Sequence, residues 1–145
     1  MTDQLLERFW DKVQVDPISG CWNWIGAQAQ NGYGRFGISS GKTTQAHIFA
    51  YQVNKGKVPE GLELDHLCRN RACVNPDHLQ PVTRRENLLR GIGFVAIQAK
   101  RTHCPRGHPL SGHNILKRND NHRMCRICHN IQQRNRYHER KKVTK

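Results

Sequence analysis

Hydrophobic positions along the chain come in short runs whose period changes. Leu5, Leu6, Phe9, Trp10 and Val13 recur at helical spacing and predict an amphipathic first helix, with Thr2 placed to cap it. Asp16-Pro17-Ile18-Ser19-Gly20 breaks that pattern. Cys21 to Ile25 alternates as a strand does, and Asn31 to Ile38 reads as a second strand. Ser39 to Lys42 is a turn and Thr43 to Ala46 a return strand. Residues 47–54 predict a short helix closed by Gly56, after which Pro59-Glu60-Gly61 turns the chain into a strand ending at Asp65-His66. Cys68 to Pro76, rich in Arg and Asn, reads as a loop, and Leu79 to Val82 as a short strand. Thr83 and Glu86 have capping-box spacing, which sets Asn87 in the first turns of a new helix. The order is therefore strand, loop, strand, helix. Gly91 and Gly93 loosen that helix before a stretch to Lys100 that reads as a linker, and Met124 to Lys142 predicts a basic helix. No apolar run is long enough to span a membrane, and Met1-Thr2-Asp3-Gln4 does not begin like a signal peptide.

Charge divides the chain more sharply than hydropathy does. The net charge of the 145 residues is +13. Residues 1–99 hold 11 Lys+Arg against 9 Asp+Glu, whereas residues 100–145 hold 13 Lys+Arg against only Asp120 and Glu139. Two modules are expected, 1–99 and 100–145, the second with the electrostatic footprint of a nucleic-acid binder. All six cysteines lie near histidines or one another at metal-ligand spacings, which favours thiolates in a reducing cytoplasm over disulfides.

The cysteines sort into two tetrahedral sets. Cys104-x3-His108 and Cys125-x2-Cys128 are two ligand pairs separated by 16 residues, the logic of a zinc knuckle or ribbon. His103, His113, His122 and His129 are spare in that region, and His129 is an alternative to one cysteine. Cys68-x4-Cys73-x4-His78 needs a fourth ligand, and Cys21 is the cysteine left over, although a small buried core residue would explain it too. Between and beyond these thiolates stand Asp65, His66 and Asn87. A neutral imidazole is a competent general base near pH 7, and a carboxylate with an amide oxygen suits magnesium or a similar hard cation held against a phosphate.

Residues 62–90 resemble the HNH, or His-Me finger, endonucleases, and more narrowly the His-Cys box homing endonucleases and the HNH proteins common in phages. The resemblance covers roughly residues 21–90 and implies an α+β fold with a ββα-metal core. It places His66 as the base at the end of the first strand and Asn87 as a magnesium ligand on the helix. Asp65 matches the aspartate ligand that some members carry just before the histidine, and Cys21, Cys68, Cys73 and His78 match a structural zinc site. The second module's Cys-x3-His, Cys-x2-Cys order departs from the second site of the His-Cys box enzymes, so their DNA geometry does not carry over to it. Arg35 is either an exposed strand arginine or, as in the resembling family, a contact to the scissile phosphate. Asn75 reads as a loop-holding residue bonded near His66, and His47 as a core histidine.

The activity expected is magnesium-dependent hydrolysis of DNA phosphodiester bonds, of homing or nicking type, in a phage protein acting in the host cytoplasm. The partner expected is double-stranded DNA, with homodimerisation left open and no membrane contact. Gln28, Gln30, Asn31, Arg35, Lys42, Thr43, Thr44 and Gln45 are residue types that read base edges. Arg134, Arg136, Arg140, Lys141 and Lys142 suit phosphates. The alternative is a catalytically inactive zinc protein that binds DNA as a regulator.

Overall fold

A computed structural model describes residues 3–117 and 123–143, so the Thr2 cap and His122 lie outside the described residues. The chain divides into two compact units, Met1–Gly91 and Ile92–Lys145. The fold is mixed α and β, with four small two-stranded antiparallel sheets among the described residues.

In the first unit, α1 (Asp3–Trp10) leads into β1 (Val13–Val15), which pairs with β2 (Trp22–Trp24). The expected helix is shorter than its apolar periodicity. Asp11 and Lys12 turn the chain, and Val13 meets Trp24 across a strand pair. Val13 still packs on the same core as Phe9, which is why a helical spacing and a helix-turn-strand path look alike in sequence. Next come β3 (Arg35–Ser39), β4 (Lys42–Gln45) and α2 (Ala46–Lys55), closed as expected by Gly56. Only the end of the expected 31–38 strand is regular, because the segment before it is held by a single bridge between Gln28 and Gly34.

Phe9 centres the core, its ring 4.8 to 5.0 Å from those of Trp24, Phe36 and Phe49. Each such ring contributes on the order of 1.5–3 kcal/mol by leaving water. Gly34 lets this cluster meet the start of α2. A Cβ there would fall 2.6 Å from the Trp24 ring and 2.9 Å from the Cβ of Ala46.

The remaining elements of this unit are β5 (Leu62–His66), a 3-10 turn (Pro76–His78), β6 (Leu79–Thr83) and α3 (Arg84–Arg90). Strands β5 and β6 pair from Leu62 opposite Thr83 to His66 opposite Leu79. Side chains alternate across a strand. Leu64 accordingly joins Tyr51 of α2 and Leu79 in a second apolar cluster, while Glu63 and Asp65 meet α3. The capping box forms as expected: the Thr83 hydroxyl accepts from the Glu86 amide at 3.2 Å, and the Glu86 carboxylate accepts from the Thr83 amide at 3.0 Å.

The second unit begins eight residues earlier than the charge pattern suggests. The expected linker contains α4 (Phe94–Lys100). The Arg123 guanidinium donates to the carbonyls of Ala99 at 2.8 Å and Arg101 at 3.2 Å, which satisfies carbonyls that a helix C-terminus leaves open. A 3-10 turn (Gly112–Asn114) and the hairpin of β7 (Ile115–Lys117) and β8 (Arg123–Cys125) lead to α5 (Arg126–Val143). Met124, expected in that helix, belongs to β8. No helix among the described residues is long and apolar enough to cross a membrane.

Candidate active site and metal centres

His66 closes β5 with 5% of its surface exposed. Its Nε2 lies 3.0 Å from the Cys73 carbonyl oxygen. A carbonyl only accepts, so Nε2 carries the proton and Nδ1 keeps its lone pair. Among the described residues nothing is bonded to Nδ1. Burial holds the imidazole below its ordinary pKa, against the opposing pull of the Cys73 carbonyl and of Asp65. The ring is therefore neutral near pH 7.

Asp65 is 3% exposed. Its Oδ1 accepts from Arg69 Nη1 at 2.7 Å. Arg90 Nη1 stands 3.6 Å from Oδ2, too far for a hydrogen bond, and Oδ2 is buried without a partner. The backbone of Arg69 is left-handed, with φ at 59°, as the chain bends away from the strand. Asn87, in α3, donates from Nδ2 to Glu63 Oε2 at 3.0 Å, which leaves its Oδ1 uncommitted. Glu63 was not singled out from sequence, although its place two residues before Asp65 puts both carboxylates on one strand face.

His47 is buried in the first turn of α2, as expected of a core histidine, and two of its neighbours are the rings of His66 and Tyr33. Its ring centroid is 4.7 Å from that of His66 and 5.3 Å from Tyr33. Its Nδ1 is buried without a partner, a condition that costs about 1–3 kcal/mol when nothing meets the group. Burial, helped by His66, brings its pKa down to about 3. Arg35 is exposed on β3 opposite Gln45, the residue before α2, and no hydrogen bond or ion pair holds its side chain among the described residues. Gln28 is partly committed, its amide donating to the Trp24 carbonyl at 3.2 Å. Asn75 does hold the loop, but not near His66. It donates to Gly20 at 2.8 Å and caps the 3-10 turn through the Asp77 amide, stapling the approach to Cys21 to the segment bearing Cys73 and His78.

Both expected ligand sets come together. The ligand atoms of Cys21, Cys68, Cys73 and His78 lie within 4.8 Å of one another, as do those of Cys104, His108, Cys125 and Cys128. Either set could hold a metal ion, consistent with zinc. His78 Nδ1 is 3.6 Å from both Cys21 Sγ and Cys73 Sγ, and Cys104 Sγ is 3.4 Å from His108 Nδ1 and 3.7 Å from Cys128 Sγ. A tetrahedron with zinc–sulfur bonds of about 2.3 Å has edges near these lengths, roughly 3.8 Å between sulfurs. Cys21 reaches its cluster because the segment around Cys73 bridges β2 at Asn23. His103, His113 and His129 stand outside the second cluster. The thiols respond unevenly to crowding. Burial pushes Cys73 up to about 12, whereas hydrogen bonds from Ser19 and His78 overcome burial and bring Cys21 down to about 7. In the second set, burial and the neighbouring thiols push Cys128 up to about 11, and hydrogen bonds from the Cys128 amide and Asn114 overcome burial to bring Cys125 to about 6. Cys73 and Cys128 thus stay thiols near neutral pH, and either set would become fully thiolate only with a cation to balance the charge.

Residues 44–89, from β4 to α3, match the HNH endonuclease family. Protein 2.8 of Escherichia phage T7 is 31% identical over 113 residues, covering 78% of this chain and 73% of the phage protein. The chain belongs to the HNH endonuclease family. Two further relatives of this HNH chain are shorter matches. The Uncharacterized gene 5.3 protein of Enterobacteria phage T3 is 35% identical over 66 residues, covering 42% of this chain. Protein 7.7 of phage T7 is 36% identical over 70 residues, covering 48% of it. The chain spans 65% of the T3 protein's length and 53% of Protein 7.7. No solved structure matches it. The HNH stretch includes His47, His66, Asp65, Arg69 and Asn87, whereas Tyr33, Arg35 and Cys21 lie before it and Arg90 just after it. What sequence reasoning missed there, chiefly Glu63, the Cys73 carbonyl and the proximity of His47, depends on contacts across elements.

Proposed function

We propose that this HNH protein is a divalent-metal-dependent endonuclease that hydrolyses phosphodiester bonds of double-stranded DNA, acting in the cytoplasm of a phage-infected cell. The observation that carries the reading is the state of His66: buried, neutral, its Nε2 committed to Cys73 and its Nδ1 left to accept a proton from water. The β5–β6–α3 unit would be a ββα-metal core, with Asp65 and Asn87 holding magnesium or a similar hard cation. The orphaned, buried Oδ2 of Asp65 and the free Oδ1 of Asn87 fit such an ion, which takes oxygen ligands and keeps some of its waters. When bound, the cation stabilises charge building on the phosphate and on the departing oxygen. Arg69 and Arg90, gathered at Asp65, and Arg35 on β3 supply positive charge for the phosphates. Two structural zinc ions would staple the chain, one within each unit, and the basic second unit would add sequence-independent grip on the DNA backbone.

The test is direct. Supercoiled plasmid incubated with the protein and magnesium should yield open-circular or linear product. His66→Ala should cut at least about 10²-fold more slowly, because the base acts in the transition state, while duplex affinity stays near wild type. A variant that still cuts at more than about a tenth of the wild-type rate would show that His66 is not the base.

A further inference from the structure

We propose that His47 is a second catalytic histidine, its Nδ1 holding the water molecule that His66 deprotonates. This rests on the nuclease reading of the preceding section. Three observations lead to it. His47 is 4% exposed, yet its Nδ1 has no partner, so the fold leaves a polar atom inside that nothing in the described chain satisfies. Its ring stands edge-on to that of His66, centroids 4.7 Å apart and planes at 65°. Tyr33 packs near both rings, its centroid 5.3 Å from that of His47 and 5.7 Å from that of His66.

A base alone does not aim a nucleophile. Water bonded only to His66 Nδ1 is free to swing about that bond, and a second anchor removes the freedom. Water also suits the site better than a phosphate oxygen does. It can donate to Nδ1 or accept from it, whichever tautomer His47 adopts, whereas a phosphate oxygen can only accept. In the step itself, one water proton passes to His66 Nδ1 and the water oxygen forms the bond to phosphorus. The bond from phosphorus to one sugar oxygen breaks, and that oxygen leaves with the electron pair and takes a proton from solvent. His47 keeps its own proton throughout.

Cleavage of supercoiled plasmid in magnesium, with protein in saturating excess, tests the assignment when combined with duplex affinity measured without magnesium and with zinc content. His47→Leu keeps the bulk and removes the polar atom. It should cut about tenfold or more slowly, with duplex affinity and zinc unchanged. The amide of Asn overlies the Nδ1 position of a histidine and that of Gln the Nε2 position. His47→Asn should therefore recover to within about threefold of wild type, and His47→Gln should remain as slow as His47→Leu. A His47→Leu protein that folds and cuts within about twofold of wild type overturns the proposal, as does His47→Asn no faster than His47→Gln. If His47→Leu loses its zinc, the Asn and Gln pair decides alone. A wild-type chain that cuts no DNA overturns the nuclease reading and this proposal together, whereas cutting that ignores His47 overturns only the proposal.

Discussion

One backbone carbonyl decides how His66 can work. By accepting from Nε2, the Cys73 oxygen selects the tautomer and leaves the lone pair on Nδ1, and Cys73 itself belongs to the first Cys/His cluster. Glu63 does the equivalent for Asn87, turning its amide so that the oxygen is free. Glu63→Ala should raise the magnesium concentration for half-maximal cleavage by about tenfold, the lower range for partners that orient metal ligands, with duplex affinity unchanged in the absence of magnesium. His47 makes a pH-dependent contribution to stability. Its folded pKa of about 3 lies below the unfolded value of about 6.5, so the unfolded chain binds the extra proton and stability is lost as pH falls below about 6.5. His47→Leu lacks this loss. Urea unfolding of the two proteins should show the stability difference moving toward the variant by up to about 1.4 kcal/mol per pH unit between pH 6 and 5. A difference that stays constant across that range would mean that His47 takes up its proton equally in the folded and the unfolded chain. None of these pairings is visible in sequence except the strand spacing that puts Glu63 beside Asp65.

The strand–strand–helix segment is where element-level reading succeeds, because its signals are local. Thr83 and Glu86 are three residues apart and cap α3 reciprocally, and that helix carries Asn87 to the carboxylate face of β5. Thr83→Ala should lower stability by about 1 kcal/mol, read by chemical denaturation, and slow cleavage more than it weakens duplex binding, because the first turn that positions Asn87 frays. Unchanged cleavage would show that packing on β5 and β6 holds α3 without its cap. Elsewhere the local signals mislead. Val13 continues a helical spacing but sits in β1, since a turn at Asp11 and Lys12 returns it to the same core. The stretch around Gly91 and Gly93 looks like a linker, yet Ala96 is buried and α4 is closed by Arg123, a partner 22 residues after Arg101.

At the scale of the molecule, charge and fold draw nearly the same boundary. Residues 92–99 carry no charged side chain, so the unit from Ile92 onward holds the same 13 Lys+Arg and the same two acids as the segment from Lys100. Truncation after Gly91 should weaken duplex binding and flatten its salt dependence, the log–log slope falling by about 0.9 for each phosphate contact removed. Slow cleavage at high protein concentration should survive. If the truncated chain binds with an unchanged slope, residues 1–91 carry recognition alone. If it binds but cannot cut at saturation, the second unit contributes to the active site.

The sequence by itself determined two Cys/His groupings, the strand–strand–helix order, the capped helix under Asn87 and the asymmetry of charge. Each of these is written in spacing or composition, and tetrahedral coordination leaves few ways to divide six cysteines between two sites. Cys21 is the exception that proves legible only by subtraction, because its approach to Cys68 and Cys73 runs through the bridge between Asn23 and Cys73. Only the tertiary structure decided which nitrogen of His66 is free, which groups surround Asp65, and that His47 stands beside His66. Those facts depend on where α2 and α3 pack against β5, and packing of large side chains over long sequence separations leaves no periodic trace in the chain.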